Sequence, residues 1–313
     1  MFNKIRQYVE KYDTIIIHRH KNPDGDAIGS QVGLKTIINE NYPEKKVLCV
    51  GDNAGRFGFV EGSVMDEVAD NEYEEALAII LDTSAKSLIS DERYSLAAET
   101  IRIDHHIFCE KIADFEITDT TYESCCGLVA AIAMECNWNV NSKAAKALYT
   151  GMITDSGRFR YDSTTAQTFR VAAFLMDKKF STGDIYRNLY ADDFAFIRLR
   201  AQFVLKIQFS SNGKVAYIYT TLEEAESYPF DTFTISRGMV NVMGEIRGVD
   251  IWVNFTESPE GIYTEIRSSA YNINPIAKQY GGGGHAKASG ATLADKDMAM
   301  SMLADLEKMT EEC

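Results

Sequence analysis

The sequence predicts a two-domain α/β protein, and three observations carry the prediction. Apolar β-branched runs alternate with helical spacing through the first half, as βαβ units around a parallel sheet require. In the second half, paired strand patterns flank turn residues, as in a smaller domain with antiparallel hairpins. The length, 313 residues, suits about two domains of ordinary size.

In the first half, Asp13–His18 reads as a strand and Ala27–Asn39 as the helix after it. Lys46–Val50, Ala76–Leu81 and Thr100–Ile103 read as further strands, with a helix expected at Asp91–Glu99. Helical spacing continues through Ser124–Glu135, Ser142–Ile153, Thr164–Met176 and Gly183–Tyr190. Asp192–Leu205 reads as a helix leading out of this domain. The predicted boundaries are therefore 1–190, a helical linker at 191–205, and 206–313. Beyond the linker, Val204–Phe209 and Lys214–Tyr219 flank Ser211-Asn212-Gly213, and Asn-Gly is a strong hairpin signal. Val249–Phe255 and Ile262–Arg267 flank a second turn, Ser258-Pro259-Glu260-Gly261, with helices expected at Asn272–Gln279 and at the C-terminus.

Charge narrows the partners. Thirty-two Lys and Arg stand against 46 Asp and Glu, a formal net charge of −14. That balance argues against gripping long duplex nucleic acid or an anionic membrane, since both need a basic footprint. No apolar run approaches the roughly 18 residues of a membrane span, and the first residues lack an apolar signal core. A cytoplasmic protein is expected. The six cysteines (Cys49, Cys109, Cys125, Cys126, Cys136 and Cys313) show no CxxC pair and read as reduced thiols.

All five histidines lie among Asp or Gly residues at the ends of predicted elements. His18 and His20 close the first strand, in His18-Arg19-His20-Lys21-Asn22-Pro23-Asp24-Gly25-Asp26. Asp82 ends the third strand, and Asp104-His105-His106 ends the fourth. Strand ends of an open parallel sheet open onto one crevice, where ligands bind. Asp155, in Thr154-Asp155-Ser156-Gly157, adds a carboxylate at the end of an apolar helix. Carboxylates crowded this way repel one another unless divalent cations neutralise them, and mixed His and carboxylate donors suit Mn²⁺ or Zn²⁺. Two such ions would suit hydrolysis at phosphorus. A second cluster is Gly281-Gly282-Gly283-Gly284-His285-Ala286-Lys287-Ala288-Ser289-Gly290, preceded by Arg267-Ser268-Ser269. Glycine amides, a guanidinium fork and hydroxyls together read as an anion cradle. Neither the Walker A nor the GxGxxG spacing is present.

These motifs resemble the DHH/DHHA1 phosphoesterases over essentially the whole chain. His20 with Asp24-Gly25-Asp26 resembles the first family motif, Asp82-Thr83-Ser84 the second, Asp104-His105-His106 the third and Thr154–Gly157 the fourth. The glycine run with Arg267-Ser268-Ser269 resembles the DHHA1 signature. The opening HRH…PDGDAIGSQ is most similar to the bacterial branch that acts as nanoRNase and pAp phosphatase.

The resemblance implies a parallel DHH domain, a smaller DHHA1 domain with a mixed sheet, and an active site in the cleft between them. It implies two Mn²⁺, with Mg²⁺ or Co²⁺ as substitutes. His20, Asp24 and Asp82 would hold one, and Asp26, Asp82, His105 and Asp155 the other. A metal-bridging hydroxide would attack phosphorus, with His106 beside the scissile phosphate and Asp104 in the catalytic group. Arg267, Ser268, Ser269, Gly283, Gly284, His285 and Ser289 would bind the substrate from the second domain, with Arg158 a further contact. His18 is either an orienting group or a buried strand residue.

The implied substrates are short RNA or small nucleotides such as 3′-phosphoadenosine 5′-phosphate (pAp). Relatives are often dimers, so a homodimer is one expectation. A cyclic-dinucleotide phosphodiesterase shares the same build and is the main alternative, and a non-catalytic nucleotide sensor is the alternative of another class. Family II pyrophosphatases carry a Ser-Arg-Lys triplet absent here, and RecJ-type exonucleases need more domains than this length holds.

Overall fold

The computed structural model describes residues 2–311, in two compact units that divide between Ala191 and Asp192. Cys313 lies outside the described residues. In the first unit, α1 (Asn3–Lys11), β1 (Thr14–His18), α2 (Gly25–Asn41) and β2 (Lys46–Cys49) lead into β3 (Leu77–Leu81), β4 (Glu99–Asp104) and β5 (Phe115–Thr118). Four helices follow among the described residues: α3 (Cys125–Glu135), α4 (Ser142–Asp155), α5 (Ala166–Met176) and α6 (Thr182–Tyr190).

The sheet is parallel throughout, in the order β2-β1-β3-β4-β5. Ile15, Ile16, Ile17 and all of Leu77–Leu81 are buried, which is why β1 and β3 read as unbroken apolar runs. Ile17, Ile79 and Ile101 pack with Leu34, Leu128 and Leu148 of the helices on one face. Ile16 packs with Tyr73 on the other face, as does Ile80 with Ile89.

Glycine spacing sets how closely the helices meet. Gly25, Gly29 and Gly33 recur every fourth residue along the side of α2 that meets α4. A methyl on Gly29 would sit 2.6 Å from the Ala147 carbonyl, and one on Gly33 2.6 Å from Leu148 Cγ. Contact at backbone distance brings Asp26, in the first turn of α2, against the end of α4 that carries Asp155.

The second unit runs α7 (Phe194–Leu205), β6 (Gln208–Phe209), β7 (Val215–Thr220), α8 (Leu222–Glu226), α9 (Thr232–Met239), β8 (Ile251–Ser258) and β9 (Gly261–Ser268). It ends with α10 (Asn274–Gln279), β10 (Gly283–Gly284), β11 (Ala288–Leu293) and α11 (Lys296–Met309). Its sheet is mixed, in the order β10-β11-β9-β8-β7-β6, with only the β7–β8 pair parallel. Gly213 turns at φ +71° between β6 and β7, where the Asn-Gly signal lay. Leu199 and Phe203 of α7 pack with Ile218, Ile235 and Met239, so this helix contributes to the core of the second unit.

The structure corrects several sequence expectations. Asp91–Glu99 is no α-helix; only Glu92–Leu96 winds, as a 3₁₀ turn, and Asp91 turns its carboxylate onto Arg93. The strand expected from Val204 shrinks to Gln208–Phe209 because α7 runs on through Leu205. The helices α8 and α9 and the strands β5 and β11 were not anticipated. Strand β11, Ala-Ser-Gly-Ala-Thr-Leu, is made mostly of small and polar residues, so it carries little strand signal of its own. Among the described residues no helix is long and apolar enough to cross a membrane, and Cys49, Cys109, Cys125, Cys126 and Cys136 are free thiols.

Candidate metal centre

Strands β1, β3 and β4 are neighbours in the sheet, and their carboxyl ends deliver His20, Asp82 and His105 to one place. Asp82 leaves β3 in the left-handed region at φ +50°, an uncommon conformation for a non-glycine residue and one that clusters at functional sites. Its carboxylate is 2% exposed. Its Oδ2 lies 3.4 Å from His20 Nε2, and its Oδ1 lies 3.5 Å from His105 Nε2 and 3.6 Å from His106 Nδ1. One carboxylate thus turns its two oxygens to two different histidines.

Further carboxylates close the group. Asp24 Oδ1 is 3.8 Å from His20 Nε2. Asp26 Oδ2 and Asp155 Oδ2 lie 3.7 and 3.4 Å from His105 Nε2. The ring N–H at His20 Nδ1 donates to the Lys21 carbonyl at 2.8 Å, which turns Nε2 towards the acids. Asp24 also caps α2, accepting from the N–H groups of Asp26 and Ala27. Asp26 accepts from the N–H groups of Cys125 and Cys126 at 2.7 and 2.8 Å, at the start of α3.

The donor set fits divalent cations. His20, Asp24 and Asp82 form one group with ligand atoms within 4.8 Å of one another, and Asp26, His105 and Asp155 form another. Separations of 3.4–3.8 Å are too long for hydrogen bonds. They suit atoms that share an ion at about 2.0–2.2 Å. Asp82 Oδ1 is buried with no hydrogen-bond partner, an orphaned anionic oxygen in want of a positive charge.

Electrostatics tell the same story. Burial and the charges of Asp82 and Asp155 push the Asp26 carboxyl well above its usual value. Burial likewise lifts Asp155 to about 6. Burial lowers His20 and His105, but the carboxylates facing them, Asp24 and Asp82 at His20 and Asp82, Asp26 and Asp155 at His105, outweigh it and raise both to about 10. Without a cation, protons on these two rings take its place.

His106 is held differently. Its Nδ1 bonds Asp104 Oδ1 at 2.7 Å, and Asp104, fully buried, is held in turn by Arg102 Nη2 at 2.5 Å. The Asp104 bond raises the His106 pKa against the opposing effect of burial. Nε2 is then the nitrogen left for another partner. Sequence reasoning missed Arg102, although its i, i+2 relation to Asp104 along β4 places the two on one face. It also missed the α3 amides on Asp26, which Ser124 foreshadowed as the cap of α3. His18 is buried between Tyr73 and Tyr94 with both ring nitrogens unpaired, and burial lowers it to about 4. It belongs to the packing of the strand.

The remaining expected residues have the following surroundings, each within its own unit. Arg158 lies with its guanidinium 4.9 Å from the Tyr190 ring centroid, on a turn where Gly157, Arg158 and Phe159 all have positive φ. In the second unit the glycine run is no open loop of free amides: Gly283 and Gly284 pair with Gly290 and Ser289. A methyl on Gly284 would meet the Ala288 carbonyl at 2.6 Å, so the hairpin itself requires glycine there. His285 and Lys287 are exposed at its tip. Arg267 pairs with Glu265 at 3.0 Å and adjoins Ala288 across the β9–β11 ladder. Ser268 Oγ is committed to a turn, donating to the Asp250 carbonyl and accepting from the Ala270 and Tyr271 amides. Ser289 Oγ donates to the His285 carbonyl at 2.8 Å. Ser269 stays exposed, with only a long bond from its hydroxyl to the Asp250 carbonyl.

Comparison with known proteins places this arrangement. The profile of the DHH family N-terminal domain matches residues 14–152, and that of the DHHA1 domain matches residues 214–312. The chain is 35% identical to the bifunctional oligoribonuclease and PAP phosphatase NrnA of Bacillus subtilis, over 100% of this chain and 99% of that protein. It is also 35% identical to the probable bifunctional oligoribonuclease and PAP phosphatase NrnA of Streptococcus mutans, over 98% of this chain and 99% of that one. The crystal structure of an exopolyphosphatase-related protein from Bacteroides fragilis superposes with a TM-score of 0.85 at 28% identity, covering 98% of this chain and 95% of its own. Matched in both halves and aligned from end to end with such relatives, the chain belongs to the DHH/DHHA1 phosphoesterases, a family of metal-dependent hydrolases, in the branch that contains NrnA.

Proposed function

We propose that this chain hydrolyses short oligoribonucleotides to mononucleotides and removes phosphate from pAp, using two divalent ions, Mn²⁺ by preference with Mg²⁺ or Co²⁺ as substitutes. The observation that carries the reading is the division of the Asp82 carboxylate between His20 and His105. His20, Asp24 and Asp82 would hold one ion, and Asp26, Asp82, His105 and Asp155 the other. When bound, such ions supply Lewis acidity at phosphorus and lower the pKa of water.

The protein's own residues then have separate tasks. Asp82 fixes the distance between the two ligand groups. Asp104 keeps His106 Nδ1 occupied, so a proton on Nε2 can stabilise a phosphoryl oxygen or pass to the leaving oxygen. Arg267, His285 and Ser269 supply donors for a terminal phosphate. Ser268 and Ser289 hold the backbone that presents those donors. A reader of terminal phosphate favours short substrates, and local donors let a chain of charge −14 act on RNA.

The test is a turnover panel with Mn²⁺: a 5′-labelled RNA ladder beside pAp, pApA and cyclic di-AMP. Rapid loss of the shortest RNAs and of pAp, with long RNA spared, is the expected result. Preferred opening of cyclic di-AMP would reassign the substrate to cyclic dinucleotides, and no turnover at all would make the chain a binding protein. Arg267→Ala with His285→Ala should raise KM for short RNA about tenfold or more, the loss of one charge-assisted contact. An unchanged KM would remove the second unit from phosphate binding.

A further inference from the structure

Against Asp24 the first unit holds a cavity whose other lining residues none of these assignments uses. Its volume is about 590 Å³, within the roughly 300–1,000 Å³ of small-molecule sites. Asn22, Pro23 and Asp24 form one wall and Asp52–Phe57 the other.

The walls are tied together from behind. Arg19, the member of the His-Arg-His motif left without a role, is fully buried. Its Nε donates to Gln31 Oε1 and its Nη1 to the His20 carbonyl, both at 3.0 Å, and its Nη2 donates to the Asp52 carbonyl. The Asp52 carboxylate accepts from the Asn22 amide at 2.9 Å and the Ser90 hydroxyl at 2.6 Å. The cavity wall and the segment carrying His20 are therefore braced by the same guanidinium.

The lining has a definite chemistry. Arg56 is exposed, lies with its guanidinium 4.8 Å from the Phe57 ring centroid, and has no ion pair among the described residues. Leu189 of α6 packs on the cluster that contains Phe57. Beside it stands Tyr190, whose hydroxyl is raised by burial and pulled back by the charges of Arg158 and Arg56. The lining itself thus offers one guanidinium plane, Arg56, beside the Phe57 ring, in a chain that is otherwise strongly acidic. Asn53 Oδ1 accepts from the Gly55 amide, which leaves its NH₂ group to donate elsewhere. Flat cations stack on nucleobases, and free amides bond base edges or ribose hydroxyls.

We propose that this cavity is a nucleoside subsite: it takes the base and ribose attached to the phosphate held beside Asp24 and Asp82, with Arg56 stacked on the base. The proposal rests on the phosphoesterase reading above and adds which residues select a nucleotide over a simple phosphate ester.

Calorimetric binding of a non-hydrolysable, phosphonate-linked ApA in Mn²⁺ tests it, beside analogues made abasic at one or the other position. Arg56→Ala should weaken ApA binding by about 5-fold or more. That difference from the parent protein should vanish for one of the two abasic analogues. Arg56→Tyr should restore affinity and Arg56→Lys should not, because only the former offers a plane. Matching thermal midpoints confirm that the variants are folded. If Arg56→Ala binds ApA as the parent does while the parent cleaves short RNA, the subsite is wrong and the phosphoesterase reading stands. If the parent protein neither binds ApA nor cleaves short RNA, the reading falls and the subsite with it.

Discussion

At position 82 the chain adopts φ +50° at a buried carboxylate whose Oδ1 has no hydrogen-bond partner. A left-handed non-glycine residue costs about 1–2 kcal/mol, and an unpartnered buried anion adds to that. Both features suit ion binding, and neither adds stability to the fold. Asp82→Ala should therefore lower turnover by more than the roughly 10–100-fold that loss of an outer partner costs. In urea without metal, its unfolding midpoint should fall only slightly, because relief from a buried anion offsets most of the lost hold on the His20 and His105 protons. A large drop in that midpoint would show that Asp82 is structural. Arg102 is the opposite case. Its guanidinium is fully buried against Asp104, with Glu116 3.6 Å away. Arg102→Met strands the Asp104 charge, a loss of about 3–5 kcal/mol. Adding Asp104→Leu should recover much of that stability in urea while leaving His106 loose and turnover low. No recovery in the double variant would show that Arg102 stabilises the unit through packing alone.

Among the elements, the α2–α4 contact decides whether the site exists. Gly29 lets the two helices meet at backbone distance, and a methyl there would press on the Ala147 carbonyl at 2.6 Å. Gly29→Ala should destabilise the protein by about 1–3 kcal/mol in urea. It should also weaken Mn²⁺ binding, because Asp26 and Asp155 ride on the two helices that must separate. Unchanged metal affinity would uncouple the helix packing from the site. The sequence made this much legible: apolar runs at β1 and β3 announced the parallel sheet, and their polar ends announced His20 and Asp82. It was silent where a signal lies in partners distant along the chain. Strand β11 is nearly featureless and is defined by pairing with β9. Arg102 looks like an ordinary strand residue until Asp104 and Glu116 surround it. The glycine run announced close backbone approach, but only the ladder shows that Gly283 and Gly284 spend it on Gly290 and Ser289.

Across the whole molecule the net charge of −14 is spread unevenly in its effect. Asp24, Asp26, Asp82, Asp104 and Asp155 all stand in the first unit, around the two groups of potential ligands. Two carboxylates about 4 Å apart near a protein surface repel by about 4 kcal/mol. The raised carboxyl groups of Asp26 and Asp155 register that strain. A divalent cation removes it and, at a hundred times its dissociation constant, stabilises the folded state by about 2.7 kcal/mol. The gain should be local. Asp26 joins α2 to the start of α3, and Asp155 ends α4, so these segments should tighten first. Hydrogen exchange on chelator-stripped protein, before and after Mn²⁺, should show slower exchange through α2, α3 and α4, with β8 and β9 unchanged. Slowing spread evenly through residues 192–311 would place ion binding outside the first unit's ligands. No slowing anywhere would show that these carboxylates hold no ion, and the hydrolytic chemistry would then need another source.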